Sequence, residues 1–217
     1  LKDVEAGYDE AAPLISPTLR DKLTRALQDD IPEALRFIES SVSNMDTFTK
    51  AILKLSRLGR VPLELSRIEV NSIVGKILDT LSHQIKQQGV RVTVGDLPVI
   101  TADLVSMEQI FGNILTNAVL YLVTDRPGEI EISAEETADE TIFHIRDNGR
   151  GIAKEDMDKV FAPFRRAGRQ NVPGEGMGLA YVQALVRKHG GRIWCESEIG
   201  VGTTFTFSVP RNVTNDD

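Results

Sequence analysis

Asn113 and Asn117 stand four residues apart in the stretch Asn113-Ile114-Leu115-Thr116-Asn117-Ala118. On a helix that spacing projects both amides from one face. An amide oxygen is a hard ligand suited to Mg²⁺, which takes oxygen donors and keeps waters and phosphates around it. The same pair would also serve as the wet face of an otherwise apolar helix. Asp147 heads a second stretch, Asp147-Asn148-Gly149-Arg150-Gly151-Ile152. It shares strand parity with Phe143 and Ile145, so its carboxylate points into an apolar face. A buried carboxylate is costly unless it is paired. An adenine exocyclic amine is a natural donor for it, and so is the backbone of a strand-end turn.

A third stretch, Gly174-Glu175-Gly176-Met177-Gly178-Leu179, leads into a helix. Glycines there present bare N–H groups to a phosphate. The run does not follow a strand, which disfavours a dinucleotide-binding turn. Upstream lies Val160-Phe161-Ala162-Pro163-Phe164, then Arg165, Arg166 and Arg169. Residues 165–173 have the length and polarity of a lid, or of a solvated loop. Their arginines bring local positive charge. In the fourth stretch, Gly200-Val201-Gly202-Thr203-Thr204-Phe205, Thr203 shares parity with Phe205 and Phe207. Its hydroxyl points inward, either completing the hydrogen bonds around Asp147 and a base or packing at a strand start.

The elements that must hold these groups read as an α+β, two-layer domain over residues 67–211. An extended piece, residues 67–70, precedes Asn71, which caps a helix carrying Ile73, Ile77, Leu78, Leu81 and Ile85. Val90, Val92 and Val94 alternate as a strand. Asp103 caps the helix of Met107, Ile110, Phe111, Ile114 and Leu115. Strands follow at Ile130 and Ile132 and over residues 142–147. A helix through Leu179, Val182, Leu185 and Val186 stops at Gly190-Gly191, and strands over residues 193–196 and 203–209 close the domain.

Upstream, residues 1–59 read as a helical hairpin and residues 60–66 as a linker. Ser16-Pro17 starts one helix, with Leu19, Leu23 and Leu27 on one face. Asp30-Ile31-Pro32-Glu33 starts a second, which ends at Gly59. Its apolar residues, Ile31, Leu35, Ile38, Val42 and Met45, step by four and three as a heptad seam, continued by Phe48, Ile52 and Leu55. Such a stripe needs a partner. A second copy completes a four-helix bundle, and packing on the other domain is the alternative.

The chain has 217 residues, 41% hydrophobic, with a net charge of −7. That balance carries no basic bias toward nucleic acid or membrane. One cysteine, Cys195, permits no internal disulfide and fits a reducing, cytoplasmic setting. No apolar run approaches a membrane span. Starting at Leu1 without a signal pattern, the sequence reads as part of a longer protein. Residues 212–217 form a polar tail.

Taken together, the order and spacing of the four stretches resemble the sensor histidine kinases of two-component systems. These belong to the wider Bergerat-fold ATPase group that includes DNA gyrase, a chaperone family and the mismatch-repair ATPases. Residues 113–118 resemble the N box, 147–152 the first glycine box, 161–164 the F box and 174–179 the second glycine box. Leu55-Ser56-Arg57-Leu58-Gly59 and Leu97-Pro98-Val99 are most similar to phytochrome-like kinases.

The resemblance implies Mg-ATP as cofactor, phosphoryl transfer as activity, a homodimer and a response regulator as partner. It implies that Asn117 ligates Mg²⁺ with Asn113 beside it. Asp147 would read the adenine amino group with help from Thr203 and a water. Tyr121 would lie along the nucleotide, Gly176, Met177 and Gly178 would donate to phosphates, and Arg166 would approach from the lid. Gly149, Gly151, Ile152, Phe161, Gly174 and Leu179 would complete the pocket. Where the family commonly carries a cation before the N-box aromatic, this chain has Leu120, so a phosphate contact is lost.

The three histidines, His83, His144 and His189, all lie outside residues 1–59, where the family's phosphoacceptor belongs. Tyr8-Asp9-Glu10-Ala11-Ala12-Pro13-Leu14 has the acceptor layout with tyrosine in the histidine place and Asp9 as proton acceptor. A phenol must lose its proton to attack and gives a stable ester. Little self-phosphorylation is therefore expected. A histidine on another segment or protein would serve, or the chain would act as an ATP-binding scaffold.

Overall fold

The computed structural model describes residues 16–58, 62–165 and 176–211. The chain divides between Leu53 and Lys54, a little ahead of the expected position at Gly59. Gly59 itself lies outside the described residues.

In the first unit the expected hairpin is not found among the described residues. Helix α1 (Pro17–Arg25) runs through a π turn, Ala26–Asp30, directly into α2 (Ile31–Leu58). Asp30 caps nothing: it is the last residue of the π turn, and Ile31 after it is already helical, its N–H reaching the Ala26 carbonyl. Pro32 supplies the reason. It has no N–H for the Gln28 carbonyl, and its ring crowds that carbonyl, so the preceding turn widens instead of breaking. Ser16 precedes α1 in extended conformation with Pro17 in the first turn, as the sequence indicates, although its side chain makes no capping bond.

The second unit lays helices on a sheet. Strand β1 (Leu65–Glu69) pairs antiparallel with β3 (Val99–Asp103) as a separate ribbon. The main sheet has the order β2 (Arg91–Val94), β4 (Glu129–Glu136), β5 (Glu140–Asp147), β7 (Gly202–Pro210), β6 (Ile193–Glu198). Only the β2–β4 pair is parallel. The helices are α3 (Val70–Gln87), α4 (Leu104–Leu120) and α5 (Gly178–Lys188).

Phe111 of α4 meets the sheet residues Phe143 and Phe207 edge-on, with centroids 5.3 and 5.2 Å away, and all three rings are fully buried. That aromatic knot fixes α4 over β5 and β7.

Asn71 is not the cap of its helix. α3 begins one residue earlier with the fully buried Val70, and the Asn71 amide instead donates to the Leu97 carbonyl at 3.4 Å. The expected linker ends at Glu64, because Leu65 and Ser66 already belong to β1. Strand β3 was not expected. Its alternation, Ile100 and Ala102 in with Thr101 out, is too short and too small in side chain to register as a period. The Asp103 cap is found as read: its carboxylate accepts from the Ser106 N–H at 2.8 Å.

Candidate functional site

Asp147 closes β5 opposite Thr203 of β7 and is 5% exposed. Its carboxylate accepts from the Gly149 N–H at 2.8 Å and from the Thr203 main chain. Burial outweighs those donors and pushes its pKa up from 3.8 to about 6. The carboxylate forms part of the wall of a cavity of about 360 Å³.

Two glycines permit this arrangement. Gly151 has φ +71°, and a Cβ there would run into the Glu198 carbonyl. Gly202 has φ +145°, and a Cβ there would strike the Asp147 carbonyl. Each lets one loop lie flat on another beside the carboxylate.

From α4 the cavity receives Asn113, Asn117 and Leu120, with Tyr121 just beyond the helix end. Asn113 donates to the Gln109 carbonyl at 2.7 Å, and its amide oxygen would be 2.7 Å from a Cβ on Gly178, so it fits only against glycine. Gly176, Met177, Gly178 and Leu179 bring the N-terminal end of α5 to the cavity. That end carries unpaired N–H groups and the positive pole of the helix. Ile152, Arg150, Arg165, Thr203 and Phe205 complete the lining that concerns the chemistry.

Two of the expected site residues stand behind the wall rather than in it. Gly149 is buried with its N–H on Asp147, and a Cβ there would lie 2.7 Å from the carboxylate. Phe161 packs edge-on against Phe205 at 6.4 Å, so it shapes the lining residue and does not itself line the cavity. Arg166, Gly174, Tyr8 and Asp9 lie outside the described residues.

The Thr203 hydroxyl has a defined role. Ser197 Oγ donates to the Gly202 carbonyl at 2.8 Å, accepts from the Ile152 N–H at 2.8 Å, and lies 2.8 Å from Thr203 Oγ1. A hydroxyl has one proton, so Ser197 accepts from Thr203, and Thr203 is left to accept on its other side. Ser197 was missed in the sequence because a serine on a half-polar strand carries no signal.

Arg126 was missed too. Its guanidinium donates to the carbonyls of Asn148 (2.6 and 3.0 Å), Gly149 (2.9 Å), Gly200 (2.6 Å) and Val201 (3.4 Å). One side chain thus ties together the two glycine loops that flank Asp147 and Thr203. The available signal was Arg-Pro-Gly in a loop beside two glycine turns, whose carbonyls need donors.

The histidines hold structural places. His189 is buried, its Nδ1–H donating to the Leu185 carbonyl at 2.8 Å and its Nε2 accepting from the Asp103 N–H at 3.2 Å. His144 pairs with Thr206 across the sheet at 3.1 Å, and His83 is exposed on α3.

This constellation on this fold has known counterparts. Residues 102–213 match the family described as histidine kinase-, DNA gyrase B-, and HSP90-like ATPase. Over 193 residues the chain is 32% identical to the phytochrome-like protein Cph1 of Synechocystis, covering 88% of this chain and 26% of that protein. Over 211 residues it is 36% identical to the methanogenesis regulatory histidine kinase FilI of Methanothrix harundinacea, covering 94% of this chain and 24% of that protein. Full-length ShkA, solved in complex with AMPPNP, matches with a TM-score of 0.65 at 24% identity, over 85% of this chain and 40% of that one.

The chain belongs to the histidine kinase-, DNA gyrase B- and HSP90-like ATPase family. Within it, this is the ATP-binding catalytic domain of a sensor histidine kinase, with the α+β fold that the four motifs imply. The chain spans about a quarter of the length of the curated relatives it matches. No described helix is long and apolar enough to cross a membrane.

Proposed function

We propose that this chain binds Mg-ATP between α4 and α5 and supplies it for phosphoryl transfer, as part of a homodimer built on the α1–α2 unit. The observation that carries the reading is Asp147: a buried carboxylate whose pKa burial raises to about 6, at the wall of a 360 Å³ cavity. The adenine amino group completes its hydrogen bonds, with Thr203 accepting alongside. Tyr121 lies along the nucleotide, and Gly176, Met177 and Gly178 donate main-chain N–H groups to its phosphates at the positive end of α5.

The donor set fits Mg²⁺ delivered with a nucleotide. Among the described residues no cluster of three or more His, Cys, Asp or Glu can hold a metal alone. The Asn117 amide oxygen adds one hard ligand to those the phosphates bring, which suits an ion that retains water and phosphate. Bound there, the metal neutralises charge on the transferring phosphate. The protein's own part is to hold the base, align the phosphates on the α5 N–H groups and exclude water from Asp147.

The acceptor lies elsewhere. No histidine occurs in residues 1–59, so the chain passes the phosphoryl group to a histidine on another segment or protein, upstream of a response regulator. The same observation favours a second reading, an ATP-holding dimeric scaffold that transfers nothing. Incubation with γ-labelled ATP and a histidine-containing phosphotransfer protein decides between them. Acid-labile label on the added protein supports transfer, and no label with intact ADP binding supports the scaffold. Calorimetry showing no Mg-dependent ADP binding by the chain would refute both.

A further inference from the structure

The far end of the main sheet holds a second cleft, of about 270 Å³. Thr141 lines it, and Thr141 and Asp147 stand at opposite ends of β5, about 20 Å apart at roughly 3.3 Å per residue. The cleft is therefore separate from the nucleotide cavity. One wall is a cross-strand row on the face that also carries Phe143 and Phe207: Glu136 of β4, Thr141 of β5 and Val209 of β7 are direct partners. The β1–β3 ribbon supplies another wall through Arg67 and Thr101, which pair across the ribbon. Arg211, just beyond β7, lines the cleft as well.

Two groups here have no partner. Thr141 is 2% exposed, yet its hydroxyl makes no hydrogen bond. Among the described residues no fully sealed side-chain oxygen lacks a hydrogen bond, so the small part of Thr141 that remains exposed is its hydroxyl, at the cleft surface. A valine has the same shape and would fill this position without a polar group to desolvate, so packing alone does not call for the hydroxyl. Arg67 is exposed and makes no hydrogen bond or ion pair. Arg211, by contrast, is already engaged. Its guanidinium pairs with the Glu136 carboxylate at 3.0 Å and donates to the Thr137 carbonyl at 3.0 Å. That pair neutralises itself, which leaves Arg67 as the one uncompensated charge among the described residues that line the cleft.

We infer that this cleft binds a small oxyanion, a carboxylate or phosphate group, through the Arg67 guanidinium and the Thr141 hydroxyl. A guanidinium fork matches two oxygens of either group, and a hydroxyl donates to one more acceptor. The Thr101 hydroxyl stands beside Arg67 as a cross-strand neighbour and is a third donor. One free cation next to the Glu136 carboxylate suits a ligand with a single negative charge. The site goes beyond nucleotide binding and does not depend on it.

The test is a titration of the ¹⁵N-labelled full chain, at constant ionic strength, with sodium acetate, sodium phosphate and the neutral analogue acetamide. Saturable shifts are expected at the Thr101 and Thr141 amides, with half-saturation at about 1–10 mM, and none with acetamide. Arg67→Gln should weaken binding by about tenfold or more, and Thr141→Val by about threefold to tenfold. Thr141→Val should leave the melting temperature of the ligand-free protein unchanged or raise it, since no hydrogen bond is lost. Melting curves also confirm that Arg67→Gln folds. Saturation by acetate alone assigns a carboxylate, by phosphate alone a phosphate group, and by both the shared oxyanion chemistry. Absence of saturable shifts at the cleft, phosphate shifts confined to the start of α5, or an equal response to acetamide would overturn the inference. So would undiminished binding in Arg67→Gln, or a lower melting temperature in Thr141→Val, which would give the hydroxyl a structural role.

Discussion

The two units bury their apolar residues in opposite ways. In the α+β unit Phe111, Phe143 and Phe207 are fully buried against one another, and the apolar faces of α3, α4 and α5 are covered by the chain itself. In the helical unit Leu27 is the one buried hydrophobic among the described residues, while Phe37 (73%), Met45 (69%), Val42 (60%) and Ile38 (56%) stand exposed. Both units have amphipathic helices, yet only one satisfies them internally. The nucleotide unit has a complete core. The helical unit presents a contiguous stripe of the kind that marks an interaction face. The sheet supplies the difference: α4 has β5 and β7 to lie on, and α2 has no such surface within its unit.

The sharpest way to break this comparison is to charge the stripe. Replacing Ile38 and Met45 with Glu should weaken self-association by about a thousandfold or more, since each carboxylate would be buried against apolar neighbours in a bundle. Light scattering should then report the mass of one 23.9 kDa chain, where the unmodified protein should report two. ADP affinity should stay within about twofold. An unmodified chain that is already monomeric, or a double variant that still dimerises, would remove the stripe from the interface.

The second prediction concerns the α+β unit alone and sets function against stability. Asp147→Asn should weaken ADP by about tenfold to a hundredfold, the value of a charge-assisted hydrogen bond. The same change should stabilise the nucleotide-free protein. The Asp147 pKa is raised from 3.8 to about 6, so the folded state holds its proton more tightly than the unfolded chain. Ionisation therefore costs stability above pH 6, by about 3 kcal/mol at most for two units, and the cost disappears as pH falls to 3.8. Calorimetric melting at pH 7.5 should show the gain. ADP affinity of the unmodified chain should fall as pH drops through about 6, because the protonated carboxyl no longer accepts the adenine amine.

Much of this was legible in the sequence, for identifiable reasons. The parity of Asp147 with Phe143 and Ile145 gave its inward direction, and the spacing of Asn113 and Asn117 gave a shared face. Capping by Asp103 was readable because an aspartate before an apolar period has few other uses. The failures share a cause as well. At Asp30 the start signal was real, but Pro32 could be absorbed by a wider turn, an outcome that no local preference reveals. Asn71 had a better partner in Leu97, distant in sequence. Phe161 reads as a lining residue in its motif, yet it packs edge-on against the lining residue Phe205 and is not itself among the residues that line the cavity. Arg126 and Ser197 act on carbonyls and hydroxyls that only the folded loops bring near them.

Arg126 offers a third and smaller effect, which sharpens the comparison by separating a loop from a core. Arg126→Met keeps the stem and removes the donors to four carbonyls. Those carbonyls are partly exposed, so water replaces some of the loss. ADP affinity should fall about threefold to tenfold, while the mass in light scattering stays that of a dimer. Arg126→Lys should fall between the two, because a point charge cannot span both loops. A loss as large as that of Asp147→Asn would mean that the loops collapse without the clamp.

The smallest effect is the pH dependence carried by His189, and it again separates the units. His189 joins the end of α5 to the start of α4 through a single neutral tautomer, Nδ1–H to Leu185 and Nε2 from the Asp103 N–H. Burial pushes its pKa below 6.5, opposed by the Leu185 bond and the Asp103 carboxylate. The unfolded chain therefore takes up the proton first as pH falls. Stability carried by the neutral ring is complete above about pH 6.5 and declines below it, by no more than about 1.4 kcal/mol per pH unit for one proton. Asp103 is held below 3.8 because the donors from Ser106 and Glu64 outweigh its burial, so its share is lost only at lower pH. Asp147 changes in the other direction over the same range, gaining stability as it protonates below pH 6. The two cancel in part in the unmodified protein. In Asp147→Asn the His189 decline stands alone, and the α+β melting temperature should drop between pH 6.5 and 5. In the double variant Asp147→Asn/His189→Gln that drop should vanish, since glutamine can accept from Asp103 and donate to Leu185 without titrating. The helical unit has no histidine, so its circular-dichroism melting should not follow this titration in either variant.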